Sequence, residues 1–290
     1  MSDLLAFNND IMDIIVNNLD TESHLIVGLT CKEMYKILKG LYPNKKLIGS
    51  LKYLTSNLSL LKYANKNHCP LNIKTIENIL NDTNKEALEC LKYLHENGCH
   101  WSTYTCQHAA MNGHLECLKY AKENGCPLDT LTCYYAAKNG ELECLKYLIE
   151  NGCPWDEKTC NGAAQNGHLE CLKYAHEEGC IWFNDVCSSA AASGHLECLK
   201  YAYENGCPLD TITSEWVARN GHLECLKYAH ENGCPWHEKT CCYAAIGGHL
   251  ECLKYLHENG CPWHDKTCVM AAKNGHLECL KYARENGCPE

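Results

Sequence analysis

The chain has 290 residues, 46% of them hydrophobic and 21% charged, with a formal net charge of −10, and no apolar run approaches the roughly 18 residues a membrane span needs. Residues 1–69 carry 8 Lys and Arg against 6 Asp and Glu, and residues 70–290 the remaining 18 against 30, a net −12 for the body. Neither a membrane role nor a nucleic-acid partner is expected of such a chain. Its first ten residues, MSDLLAFNND, have an acid where a secretory leader is basic and only Leu4–Phe7 as an apolar stretch, which predicts an intracellular, cytoplasmic protein.

Phe7–Leu38 stands apart from the rest of the chain and reads FNNDIMDIIVNNLDTESHLIVGLTCKEMYKIL. It resembles an F-box, the helical module through which substrate receptors dock on the adaptor of cullin–RING ubiquitin ligases. Asp10-Ile11-Met12, Ile14-Ile15-Val16, Leu19-Asp20 and Cys31-Lys32 fall close to that family's apolar and Cys-Lys positions, and Phe7-Asn8 replaces the usual Leu-Pro. The resemblance implies an F-box-like module over residues 1–45 with Ile11, Ile15, Leu19 and Leu25 as its adaptor-docking surface. The other reading of the same residues is a plain helical cap over the first repeat's apolar face, which any solenoid needs.

Degenerate repeats are expected over residues 46–99. Leu58–Cys69 (LSLLKYANKNHC) is the remnant of one, and Pro70–Cys99 keeps the ending ALECLKYLHENGC behind an unrelated first half. Residues 100–290 then hold seven repeats of 27 residues, of which Pro154–Cys180, PWDEKTCNGAAQNGHLECLKYAHEEGC, is typical. Most of the 25 cysteines mark this period, Cys160, Cys171 and Cys180 each having counterparts 27 residues away. Self-similarity at such a period signals a solenoid whose units bury their apolar faces against one another.

Each repeat divides at an Asn-Gly into two helical halves. In the second, His168–Gly179, Leu169, Leu172 and Ala175 form an apolar stripe; Lys173 and Glu177 are spaced for an i,i+4 pair, and Gly179 stands where a left-handed C-cap falls. In the first, Asp156–Asn166, Asp156 is a candidate N-cap, and Cys160, Ala163 and Ala164 make a stripe small enough for close helix packing. Nothing alternates as a strand would. The stretch AAQNGHLECLKYAHEEG is similar to half of an ankyrin repeat, with six residues fewer per unit than usual and DEKTC in place of TPLH. The resemblance implies an all-α, ankyrin-type solenoid of helix pairs with an N-terminal helical module, its β fingers largely absent. Short units of this kind resemble ankyrin-type proteins of giant DNA viruses of amoebae, which would place the chain in host cytoplasm.

Chemistry is not expected from these residues. The cysteines have no C-x2-C spacing, and equivalent thiols of successive repeats are about 8–10 Å apart, beyond disulfide reach, so they read as small buried hydrophobes. The histidine of each Gly-His pair recurs at a helix start, and the loop tryptophans interchange with leucine, both marks of structure. Residues copied into every repeat cannot form one asymmetric catalytic centre, so neither an enzyme, a cofactor nor a metal is expected. Function should sit where the repeats differ: Tyr134, Tyr135 and Lys138, Trp216 and Arg219, Tyr243, and Met270. These are residue types that interface cores favour, and the ankyrin resemblance implies that their helix lines the concave face. A protein partner is expected there, for a scaffold that acts as a ligase's substrate receptor or as a simpler interaction protein. An RNA-reading repeat and a thiol-rich metal binder are the rivals from other classes.

Overall fold

The computed structural model describes residues 58–66, 71–81, 86–181 and 185–289. The candidate docking residues Ile11, Ile15, Leu19 and Leu25 lie outside them. The chain divides into two compact units, Met1–Pro127 and Leu128–Glu290, and the described residues of both form short helices without a strand. None of these helices is long and apolar enough to cross a membrane.

In the first unit α1 (Leu58–Lys66) is followed by α2 (Ile73–Leu80), α3 (Ala87–Glu96), α4 (Thr103–Met111) and α5 (Leu115–Glu123). Helices α2 and α3 form one pair and α4 and α5 the next; α2 packs on α4, and α3 packs on both α1 and α5. Within the described residues the remnant repeat is represented by its second helix, α1. Although α2 departs most from the repeat, it starts firmly: the Asn72 side chain accepts the Lys74 N–H at 3.0 Å, and the Asn72 N–H donates to the Thr75 hydroxyl. Ile76, Ile79 and Leu80 are fully buried behind it.

The second unit repeats one design. Its first helices are α6 (Thr130–Lys138), α8 (Glu157–Gln165), α10 (Asp185–Ala192), α12 (Thr211–Asn220), α14 (Glu238–Gly247) and α16 (Thr267–Lys273); its second helices are α7 (Leu142–Glu150), α9 (Leu169–Glu177), α11 (Leu196–Glu204), α13 (Leu223–Glu231), α15 (Leu250–Glu258) and α17 (Leu277–Glu285). Each first helix pairs with the second helix that follows it, and each layer stacks on itself. First helices pack on one another more extensively than second helices do, α12 against α14 most of all. The small stripe is the reason: Cys160, Ala163 and Ala164 are wholly buried, and side chains of that size let helix axes approach.

Helix ends are set by local chemistry. Asp129 accepts the N–H of Thr132 at 3.1 Å and its hydroxyl at 2.8 Å, and Asp210 holds Thr213 likewise at 2.9 Å for both. Thr132 and Thr213, which sequence reasoning passed over, are therefore the third residues of capped first turns. At the other end of the repeat Gly179 adopts φ +96° and donates to His176 O at 2.9 Å, while Cys180 donates to Ala175 O at 3.0 Å. Two orphan carbonyls are satisfied in this way, and the loop cysteine is turned inward.

The Gly-His pair joins successive repeats. Gly167 has φ +77°, and a Cβ there would fall 2.5 Å from Nδ1 of His195 in the following repeat. Glycine is thus required twice over, for its backbone and for the ring that covers it. Histidine in turn caps the preceding repeat, as His276 Nε2 donates to Ile246 O at 3.1 Å. His222 makes a similar bond to the Ala192 backbone, but burial, with His249 and His195 nearby, holds its pKa below the usual 6.5. The unfolded chain therefore takes up a proton more readily than the folded one as pH falls. Stability is expected to be level above pH 6.5 and to decline below it, and a His222→Gln variant should show a shallower decline in melting temperature across that window. Equal slopes would exclude His222 as a contributor.

The loop residues Trp236 and Trp263 are packing residues. Trp236 stacks on His230 with centroids 3.8 Å apart and meets Tyr255 edge-on, and Trp263 stacks on His257 while its indole N–H donates to Asn286 O at 3.0 Å.

Candidate functional site

On α6 and α12 the side chains at i, i+3, i+4 and i+7 that turn away from the buried stripe of the helix form one face. On α6 this face is Leu131, Tyr134, Tyr135 and Lys138; on α12 it is Ile212, Glu215, Trp216 and Arg219. Two clusters result. Tyr134 and Tyr135 lie 5.3 Å apart between ring centroids, with the Lys138 ammonium 5.6 Å from the Tyr134 ring. Three repeats on, Trp216 is 46% exposed, and the Arg219 guanidinium lies 5.4 Å from its ring and 5.9 Å from that of Tyr243 on α14. Met270 is half-buried on α16, beyond the second cluster. Such cation–π contacts are worth about 0.5–1 kcal/mol where exposed and fix a long side chain in place.

Between the clusters the face sinks. Gly162 and Gln165 on α8 and Ser188, Ser189 and Ala192 on α10 have short or flexible side chains where α6 and α12 carry rings. A groove of about 300 Å³ lies there, bounded by Trp216 and Asn220. Gly162 is small for a reason, since a Cβ would come within 2.9 Å of the Tyr134 ring. Sequence reasoning noted the varied positions but missed the groove. Its signal was a run of small residues, SSAAAS from Ser188 to Ser193, where other repeats are bulky. It also missed the row of Leu131 and Ile212, which are 41% and 51% exposed.

The opposite layer is a charged surface. Lys119, Lys146, Lys173, Lys200, Lys227 and Lys254 each reach the glutamate three residues earlier at 2.7–2.9 Å. Lys173 therefore pairs with Glu170, and the i,i+4 partner expected from spacing, Glu177, is not its salt-bridge partner. Side chains on a helix lean toward its N-terminus, which brings lysine over the earlier glutamate. Exposed pairs of this kind are screened by water and contribute little to stability.

The described cysteines are buried thiols outside any disulfide. Burial, aided by neighbouring glutamates, pushes Cys90, Cys117 and Cys171 up to about 12. A contact between non-equivalent cysteines, outside what the repeat spacing addresses, joins the first-helix thiol to the loop thiol twenty residues on: Cys133 with Cys153, Cys160 with Cys180, Cys187 with Cys207 and Cys241 with Cys261. In the third pair the Cys187 N–H donates to Cys207 Sγ at 3.2 Å. The hydrogen bond from the helix thiol, helped by that residue's backbone N–H and opposed by burial, lowers the loop thiol's pKa in Cys180, Cys207 and Cys261, while the helix thiol is raised. No three metal-binding side chains converge among the described residues. Denatured protein is expected to titrate 25 thiols and native protein only a small fraction, since buried thiols of raised pKa are inert. Rapid reaction of most native thiols would contradict that assignment.

The helix-pair architecture and the Gly-His junctions are those of an ankyrin repeat protein. The family model described as Ankyrin repeats (3 copies) matches residues 80–161, 133–213 and 214–289, and the chain belongs to that family. Among solved structures, the ankyrin repeat domain of human ASB11 is similar in fold, with a TM-score of 0.51 and 20% identity, over 64% of this chain and 98% of that one. No curated protein matches the chain.

Proposed function

We propose that the chain is the substrate receptor of a cullin–RING ubiquitin ligase, in which the first-helix face of Leu128–Glu290 holds the protein to be modified and the F-box-like segment Phe7–Leu38 docks the ligase's adaptor. The ankyrin repeats make it a protein-binding scaffold. Trp216 carries the choice of face: an indole 46% exposed and clamped by Arg219, in a chain whose loop tryptophans Trp236 and Trp263 are stacked on histidines. The closer packing of the first helices supports the concave side for this face, with Tyr134, Tyr135, Lys138, Trp216, Arg219, Tyr243 and Met270 as contact residues. The function is binding without chemistry, through a surface preformed by the repeats.

Support for the ligase half is the pattern of Phe7–Leu38. In the full-length chain, Ile11→Asp with Ile15→Asp, or Leu19→Asp with Leu25→Asp, should abolish recovery of the adaptor from cell extract while the substrate is still retained. Unchanged adaptor recovery, or its absence from the unmodified chain, would sink the ligase assignment and leave an ankyrin interaction protein whose N-terminal segment is a cap.

A further inference from the structure

We infer that the face running from α6 to α12 takes an extended acidic segment of the protein partner, with one carboxylate on Lys138, a second on Arg219 and the intervening backbone in the groove between them. The inference rests on this face being the binding surface proposed above.

Charge is the first ground. In a body of net −12, the second-helix lysines named above are neutralised by glutamates on their own helices. Lys138 and Arg219 are placed differently. Among the described residues no carboxylate lies in salt-bridge range of either, and each rests on aromatic rings instead. Glu215, one turn before Arg219 on the same helix, is drawn to His237 Nε2 at 3.0 Å. The row at the C-terminal end of this face reads Lys138, Gln165, Ala192, Arg219, Ile246 and Lys273, three cations with no acid. A guanidinium held 5.4 Å from the Trp216 ring and 5.9 Å from the Tyr243 ring is preorganised to offer N–H groups to a carboxylate.

Shape is the second ground. Lys138 and Arg219 sit three helix steps apart, at about 8–10 Å per step, and so about 24–30 Å from each other. An extended chain at about 3.3 Å per residue crosses that distance in about eight residues. Ser189, Ser193 and Gln165 along the groove offer hydroxyls and an amide to the backbone of an extended segment. A nucleic-acid strand, by contrast, would bring many phosphates to a face with few cations and an acidic body behind it.

The test selects a randomised library of peptides of about twelve residues on the full-length chain and then measures a fluorescein-labelled selected peptide by anisotropy. The expected pool carries Asp or Glu at two positions about eight residues apart. Arg219→Gln and Lys138→Gln should each raise Kd tenfold or more and each abolish selection for one of the two acids, while Lys173→Gln changes nothing. Peptides without acidic enrichment that lose binding on Trp216→Ala, but not on Arg219→Gln or Lys138→Gln, would overturn the acidic segment and leave the face intact. Peptides indifferent to Trp216→Ala as well, or no selected peptide at all, would overturn both the face and the inference.

Discussion

Trp216→Ala is expected to weaken partner binding tenfold or more while leaving the melting temperature nearly unchanged. The indole is 46% exposed and rests against Arg219 without filling the core, so truncation opens no buried cavity and removes little packing energy from the fold. In a binding interface the same residue type can contribute about 2 kcal/mol or more, and about 1.4 kcal/mol is one decade in Kd. Tyr135→Ala, in the other cluster, should behave similarly. Charge reversal at Lys173 is the control. Its ammonium pairs with exposed Glu170 on the opposite layer, and the reversal should leave binding within about twofold. Isothermal titration against the captured partner, with a thermal melt of each variant, reads both quantities. If Trp216→Ala lowers the melting temperature as much as it lowers affinity, or if Lys173 reversal weakens binding equally, the binding surface lies elsewhere.

Gly247→Ala is expected to do the reverse at first and then reach the site. Helix propensity alone favours alanine by about 1 kcal/mol, yet a Cβ at Gly247 would collide with the Arg219 carbonyl oxygen and with the His249 ring. The ring can swing aside, but the carbonyl belongs to the backbone of α12 and moves only with the helix. Since α12 and α14 are the most extensively packed of the first helices, relieving the collision means separating them. Overpacking of this kind costs about 1–3 kcal/mol, which for a protein of this size lowers the melting temperature by several degrees, at about 2–4 °C per kcal/mol. Arg219 and Tyr243 stand on the two separated helices, so affinity should fall as well. A higher melting temperature in the Gly247→Ala protein would show that propensity outweighs the collision and that the helices have room to spare.

Much of this molecule is legible in the sequence because its signals are local and repeated. The helix boundaries follow from Asp156 at one end and Gly179 at the other, residues whose backbone preferences act within a turn, and the 27-residue period states which side chains must meet their copies. The same period separated scaffold from candidate site: Cys160, Ala163 and Ala164 recur and are buried, whereas Trp216 does not recur and is exposed. The tertiary structure decided what depends on distance between non-equivalent residues. It placed Cys187 against Cys207, set His195 over Gly167 of the preceding repeat, and laid Arg219 between rings of two helices. Spacing of three against four residues left Lys173 a choice of glutamates, which the lean of a helical side chain settled for Glu170. The groove beside Trp216 is the clearest case: each serine and glycine of α8 and α10 was visible in the sequence, but a depression exists only relative to the taller rings of α6 and α12, and that relief is created when the helices stack.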